Sequence, residues 1–191
     1  MTRTDALEIV RHYASGYFLM DNGEGLQWYS SRVHALIPLD DRFHVPSSLR
    51  RALNNPRFET RINANFAGTV DGCAAREETW ITPELREIYL ELHGYGVAHS
   101  FETWVDGEPA GGLLGLAIGG AFIGESMYYR VPEASKVAMV RLKEHLAARG
   151  FALFDAQIMN PHLQRFGAYQ LPEREFRKQL AVASRLEVSF V

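Results

Sequence analysis

The chain has almost no cysteine, no long apolar run and no strong charge of either sign, and each absence removes a class of protein. Cys73 is the single cysteine, so no internal disulfide can form, which fits a reducing compartment. Without a histidine beside it, Cys73 reads as a buried structural thiol and not as a nucleophile. No apolar stretch approaches the ~20 residues that a membrane helix needs, and the amino terminus carries no signal core. A cytoplasmic protein with no membrane attachment is expected. The net charge of −3 argues against a general nucleic-acid coat, because bulk attraction to phosphate favours a basic chain. It leaves room for a local patch: Arg32, Arg42, Arg50, Arg51, Arg57 and Arg61 crowd one segment. The histidines form no His-Glu-x-x-His motif and no His/Cys cluster, so no metal is expected. There is no Gly-x-x-x-x-Gly-Lys phosphate loop and no Gly-x-Ser-x-Gly nucleophile elbow, and no cofactor is expected either.

What is present is 191 residues, enough for one full core with a small appended subdomain. Thr4 reads as the N-cap of a helix through Ser15, with Leu7, Val10 and Ala14 on one side. Residues 17–39 read as short strands, with Asn22-Gly23 as a hairpin turn. Pro46-Ser47-Ser48 opens a short helix that stops before Asn54-Asn55-Pro56. This turn-rich, arginine-rich segment reads as a small N-terminal subdomain over 1–57.

From residue 58 strand and helix alternate. Phe58, Thr60, Ile62, Ala64 and Phe66 recur at every second position, which predicts a strand. Thr82-Pro83-Glu84 starts a helix that Gly94 ends, and strands 97–105 and 109–118 flank the hairpin signal Asp106-Gly107. A strand over 121–129 leads to an amphipathic helix from Ala134 to Arg149, closed by Gly150, and then to a strand over 151–158. A short helix, a strand near Ala168 and a helix from Pro172 to Leu180 follow. Antiparallel hairpins and then a crossover helix predict an α+β domain with a mixed sheet over 58–191.

Two of these strands carry polar groups where a core strand should be apolar: Gly124-Glu125-Ser126-Met127 and Phe154-Asp155-Ala156-Gln157-Ile158-Met159-Asn160. By alternation Asp155 and Gln157 share one face of their strand, and Glu125 and Met127 share one face of theirs. A buried carboxylate without a partner is costly. Three such groups on two strands point to a site.

With Trp80 in Glu78-Thr79-Trp80-Ile81-Thr82, and with Ala134-Ser135-Lys136, these stretches resemble the leucyl/phenylalanyl-tRNA–protein transferase family. The resemblance runs from Tyr17 to about Leu180 and includes the Asn63-Ala64-Asn65-Phe66 strand, the Gly72-Cys73-Ala74 turn and His99-Ser100-Phe101-Glu102-Thr103-Trp104. It implies an acetyltransferase-like (GNAT-like) fold. It also implies an enzyme that moves Leu or Phe from aminoacyl-tRNA to proteins beginning with Arg or Lys, marking them for degradation. Its partners are then charged tRNA and those proteins, and it is expected to act as a monomer.

The resemblance also implies roles. Asp155 holds the attacking amine and takes up its charge or proton. Gln157 donates to the ester carbonyl and accepts from the amine. Glu125 pairs with a cationic group, either the amino group of the transferred residue or the basic end of the acceptor. Leu113, Phe122, Met127, Met139, Leu142, Leu146 and Phe154 line an apolar amino-acid pocket, and Trp80 sits near the aminoacyl-adenosine. Leu36-Ile37-Pro38 stands where many relatives carry a second Trp in a Val-Leu-Trp context, which puts a two-aromatic clamp on the adenosine in doubt. Two other readings stand beside this one. An acyl-CoA-dependent N-acetyltransferase on the same fold lacks its Gln/Arg-x-x-Gly-x-Gly/Ala loop where the Ala134 helix begins. A non-catalytic module that binds tRNA or protein N-termini is at odds with the joint presence of Asp155, Gln157 and Glu125.

Overall fold

The computed structural model describes residues 2–191, Arg3 by its backbone alone. Helix α1 (Arg3–Ala14) is capped by Thr2, whose hydroxyl accepts the Asp5 N–H while the Asp5 carboxylate accepts the N–H of Thr2. The cap expected at Thr4 lies two residues too late. Thr2 has a carboxylate three residues on to reciprocate, whereas Thr4 has Leu7. Strands β1 (Phe18–Asp21) and β2 (Leu26–Tyr29) form a separate antiparallel ribbon whose loop contains Asn22-Gly23. Strand β3 (Val33–Leu36) is followed by a 3-10 turn (Ser47–Leu49) that runs into α2 (Arg50–Leu53).

The main sheet takes strands from both ends of the chain. Its elements are β4 (Phe58–Ile62), β5 (Ala98–Val105), β6 (Glu108–Ile118), β7 (Ala121–Tyr129), β8 (Leu153–Asp155) and β9 (Tyr169–Pro172), with β3 among them. The order is β4-β5-β6-β7-β8-β3-β9, so the segment 1–57 lends a strand to the sheet built by 58–191. All pairs are antiparallel except β7 with β8. The mixed sheet and α+β class are those expected from the sequence.

Helices α3 (Phe66–Ala74) and α4 (Pro83–Gly94) cover one face with α1, and α5 (Ala134–Ala148) covers the other. Short α6 (Pro161–Gln164) and α7 (Glu173–Ala183) complete the chain. Strand β6 alternates between the two cores: Leu114 and Leu116 pack with Tyr13, Phe66 and Leu85, while Leu113 packs with Phe122, Leu142 and Leu146. A smaller cluster lies under α7, where Leu36 and Leu153 meet Phe176 and Leu180. Among the described residues no helix is long and apolar enough to cross a membrane.

One expected strand is overturned in its second half. The alternation from Phe58 to Phe66 ends at Ile62, because Asn63 turns to φ 55° and the Asn65 side chain caps α3 by accepting from the Gly68 N–H. Asparagine tolerates left-handed backbone and caps helices well, and that local chemistry outweighs the period of two. Gly72-Cys73-Ala74 therefore lies in a helix and not in a turn.

What positions the site is the parting of β7 from β8. They pair in parallel only from Ala121 to Ile123 against Leu153 to Asp155. Beyond Asp155 the backbone turns to β3: the Ala156 N–H donates to Ala35 O (2.8 Å), and the Ala35 N–H donates to Gln157 O (2.9 Å). Strand β7 meanwhile continues to Tyr129 beside β6. The expected strand 151–158 is thus only three residues long. A cleft opens beyond the carboxyl ends of the two parallel strands, the usual place for a ligand in sheets of this kind.

Candidate active site

The cleft deepens into a cavity of about 380 Å³ whose floor is apolar: Leu113, Met127, Met139, Phe154 and Leu163. Glu125 and Gln157 supply its polar wall, Trp80 and Arg76 lie to one side, and Ile158 and Asn160 are exposed at its edge. Glu125 reaches this wall through a bulge. Leu114 pairs with Ser126 and Gly115 with Gly124, so Glu125 is the extra residue of β7 and its side chain is re-aimed.

Glu125 is 9% exposed, and its Oε2 accepts the Tyr89 hydroxyl at 2.8 Å. Burial pushes its carboxyl up to about 7; hydroxyl contacts from Tyr89 and Tyr13 act against that rise, and the charge of Asp155 adds to it. The two tyrosines are fully buried, and the same enclosure raises their own pKa values well above the ordinary one. Near neutral pH, then, Glu125 is poised between a proton donor and an anion.

Gln157 holds a left-handed backbone (φ 51°), a conformation uncommon outside glycine. Its N–H donates to Asp155 Oδ1 at 2.9 Å. Its amide has two possible orientations. With the nitrogen 2.8 Å from Gly124 O and 3.2 Å from Ala156 O, both carbonyls gain a donor and the amide oxygen turns to Glu125. The reverse puts the nitrogen 3.4 Å from Glu125 Oε1 and leaves those carbonyls facing oxygen. The first is better satisfied and lets a neutral Glu125 carboxyl donate to the Gln157 oxygen.

Asp155 is elsewhere. It is 2% exposed and does not line the cavity. Both its oxygens lie 3.3 Å from His34 Nδ1, and Oδ1 also accepts the Gln157 N–H. Burial raises its pKa, while the His34 hydrogen bond acts the other way. The alternation expected for Asp155 and Gln157 fails because the strand ends at Asp155 and the next two residues bend toward β3.

Of the apolar residues named from the sequence, Leu113, Met127, Met139 and Phe154 line the cavity, and so does half-buried Trp80. Phe122, Leu142 and Leu146 do not. Phe122 packs edge-on to Phe154 and stacks on Phe190, and the two leucines lie wholly inside the α5 core. Unnamed from the sequence were the lining residues Leu163, Arg76 and Phe18 to Met20, and Tyr13, Tyr89 and His34 behind them. Tyr89 sits in the apolar stripe of α4 and reads as core, and His34 and Tyr13 lie far from the motif residues in sequence. Arg76, whose guanidinium contacts Met127 O and lies 5.8 Å from the Trp80 ring, stands in a stretch of exposed charges. Cys73 is buried and its thiol is pushed up to about 12, which removes it as a nucleophile. Among the described residues no three His, Cys, Asp or Glu side chains gather as a metal-ligand set.

Comparison with known proteins finds relatives along nearly the whole chain. Residues 36–181 match the family described as leucyl/phenylalanyl-tRNA protein transferase. The chain is 59% identical over 183 residues to the leucyl/phenylalanyl-tRNA–protein transferase of Thermosynechococcus vestitus, covering 96% of this chain and 93% of that one. Against the protein of the same name from Trichormus variabilis the identity is 58% over 180 residues, 94% of each. The Herpetosiphon aurantiacus protein is 46% identical over 182 residues, 95% of each. A solved C-terminal DUF2156 domain from Agrobacterium fabrum is similar at a TM-score of 0.47 and 13% identity, covering 91% of this chain and 61% of that one. With the family matched over most of its length and relatives aligned along nearly all of it, this chain belongs to the leucyl/phenylalanyl-tRNA protein transferase family.

Proposed function

We propose that this protein transfers Leu or Phe from aminoacyl-tRNA to proteins that begin with Arg or Lys. The observation that carries the reading is one cavity with an apolar floor and a Glu125–Gln157 wall. The floor suits an apolar amino-acid side chain, and its two methionines adapt to branched Leu or planar Phe. A shorter side chain such as Val leaves volume unfilled, at about 1–3 kcal/mol per methylene. Trp80 offers a ring on which the terminal adenine can stack. The protein is taken to act as a monomer, and charged tRNA as substrate accords with a cytoplasmic enzyme.

The reaction is aminolysis of an ester. The acceptor α-amine attacks the aminoacyl carbonyl; a C–N bond forms, the C–O bond to the ribose breaks, and the amine proton ends on the departing hydroxyl. An α-amine has a pKa of ~7.7–8.0, so part of it is neutral at physiological pH and no strong base is required. Holding amine and ester together can supply roughly 7–11 kcal/mol of the barrier. Gln157, its nitrogen held by Gly124 and Ala156, presents an oxygen that can accept from the attacking amine. Glu125 is placed to pair with the ammonium of the transferred residue, whose charge favours ionisation of a carboxyl otherwise near pKa 7. Asp155, behind Gln157, supports it through the backbone N–H.

We also infer an acetyltransferase-like core over 58–191, with 1–57 as an N-terminal subdomain that lends β3. The antiparallel run β4 to β7, the crossover α5 and the parted parallel pair β7 and β8 support this. The test of the activity is direct: labelled Leu-tRNA or Phe-tRNA is incubated with peptides beginning in Arg, Lys, Asp or Ala, and label in the peptide is counted. Label should enter the Arg and Lys peptides alone. Equal transfer to the Asp and Arg peptides would overturn the acceptor assignment.

A further inference from the structure

Among the described residues His34 is the buried imidazole that contacts a site residue, and the chemistry above leaves it without a task. It is 1% exposed on β3, its ring lies flat on Phe176 of α7 at 3.6 Å between centroids, and its Nδ1 faces both oxygens of Asp155 at 3.3 Å. A carboxylate only accepts, so Nδ1 is the donor. Among the described residues its Nε2, also buried, has no hydrogen-bond partner.

The link continues toward the cavity. Asp155 Oδ1 accepts the Gln157 N–H at 2.9 Å, and Gln157 sits at φ 51° with its amide against Gly124 and Ala156. A left-handed backbone at a residue other than glycine persists only where its surroundings hold it. Two devices on β3 do so: Ala35 exchanges backbone hydrogen bonds with Ala156 and Gln157, and its neighbour His34 fixes the carboxylate that holds the Gln157 N–H. The backbone clamp sets the path of the chain, and the imidazole sets the rotamer of Asp155.

We propose that His34 is a positioning residue for aminoacyl transfer, acting through Asp155 to keep Gln157 in the conformation that directs its amide to the cavity beside Glu125. The inference rests on the transferase reading. His34 touches no substrate atom and moves no proton; its effect is on geometry, where a misplacement of about 1 Å can lower a rate roughly 100-fold.

The experiment compares wild type with His34→Leu and His34→Asn. Leu keeps the packing on Phe176 and removes the donor, while the Asn amide places a donor close to where Nδ1 stood. Transfer from Leu-tRNA to an Arg-initiated peptide is measured at saturation and below it. His34→Leu should lower kcat roughly 10- to 100-fold, with each KM within about twofold, and His34→Asn should recover most of the loss. Added to Asp155→Asn, His34→Leu should bring no further loss, because both break one link. A packing control, Leu180→Val in the same cluster under α7, should lower stability and leave kcat as it was. A second measurement does not depend on transfer: hydrogen exchange at the Gln157 amide should quicken in His34→Leu, while Leu114 and Leu116 exchange as in wild type.

A folded His34→Leu with wild-type kcat, or an Asn variant as slow as the Leu variant, overturns the inference and leaves the transferase reading standing. Unchanged exchange at Gln157 overturns it as well. A wild-type protein that transfers nothing to any peptide overturns the transferase reading, and the role of His34 in transfer with it.

Discussion

Replacing Glu125 by Gln should make the protein more stable, and increasingly so as the pH rises. The carboxyl ionises at about 7 in the folded protein against an ordinary value of 4.5, chiefly because it is buried. Between those two values the folded chain keeps a proton that the unfolded chain has released, so stability falls as pH rises through that window. Above about 7 both forms are ionised and the loss is complete. At ~1.36 kcal/mol for each tenfold change, the full loss is roughly 3 kcal/mol. The Glu125→Gln side chain would keep the shape and the acceptor for the Tyr89 hydroxyl, and its amide nitrogen can donate to Gln157 where the neutral carboxyl did. The assay is urea unfolding of both proteins, followed by circular dichroism, at intervals from pH 5 to 8. The gap between the Glu125→Gln variant and wild type should widen by roughly 2–3 kcal/mol across that range. Groups common to both proteins, Asp155 among them, drop out of the difference to first order. A gap that stays level from pH 5 to 8 would mean that Glu125 ionises near its ordinary value and that the polar wall is solvated.

Tyr89→Phe removes a hydroxyl that favours the charged form of Glu125, so the midpoint of that pH-dependent loss should move above about 7 in the same unfolding series. Asp155→Asn should slow transfer roughly 10- to 100-fold with Leu-tRNA binding retained, and the acidic limb of the pH–rate profile should survive, since Asp155 lies behind Gln157 and not in the cavity. Loss of that limb would restore Asp155 as the base. Met127→Ala should lower transfer of both Leu and Phe with little change in affinity for uncharged tRNA, measured by filter binding. Leu142→Ala should lower the unfolding free energy by ~2–5 kcal/mol in urea melts, as a wholly buried core position.

Much of the fold was legible because its signals are local. Asp106-Gly107 marks the β5–β6 hairpin, and Ala134 to Gly150 carries a helical stripe with its own stop. The polar residues Glu125 and Gln157 stood out for the sound reason that a buried strand has little use for them. What stayed hidden depends on contacts distant in sequence. Nothing near Glu125 announces the bulge that aims it, because the bulge is a relation between β6 and β7. Nothing near Gln157 announces its positive φ, which β3 imposes through Ala35 and the neighbouring Asp155 carboxylate. Tyr89 has the spacing of a core residue and is one; only the carboxylate above its hydroxyl gives it a second use. Phe122, Leu142 and Leu146 show the converse, since helical and strand periodicity report burial and not whether a cavity lies alongside.

The place of β3 in the sheet bears on when the enzyme becomes an enzyme. His34 and Asp155 are 121 residues apart in the chain, and β3 is flanked by β8 and β9, which are made after every other strand of the sheet. The hairpins β5 to β7 are close in sequence and can zip as soon as they are synthesised, whereas β3 must wait, unpaired, until they are complete. Closing so long a loop is entropically slow and belongs late in folding. A nascent or truncated chain that stops short of β8 can hold a sheet and an apolar core, yet it has neither the Gln157 wall nor the clamp behind it. Competence for transfer is therefore expected only when β8 and β9 emerge to receive β3; a chain cut before that point keeps Leu113, Glu125, Met127 and Met139 but lacks the Gln157 wall.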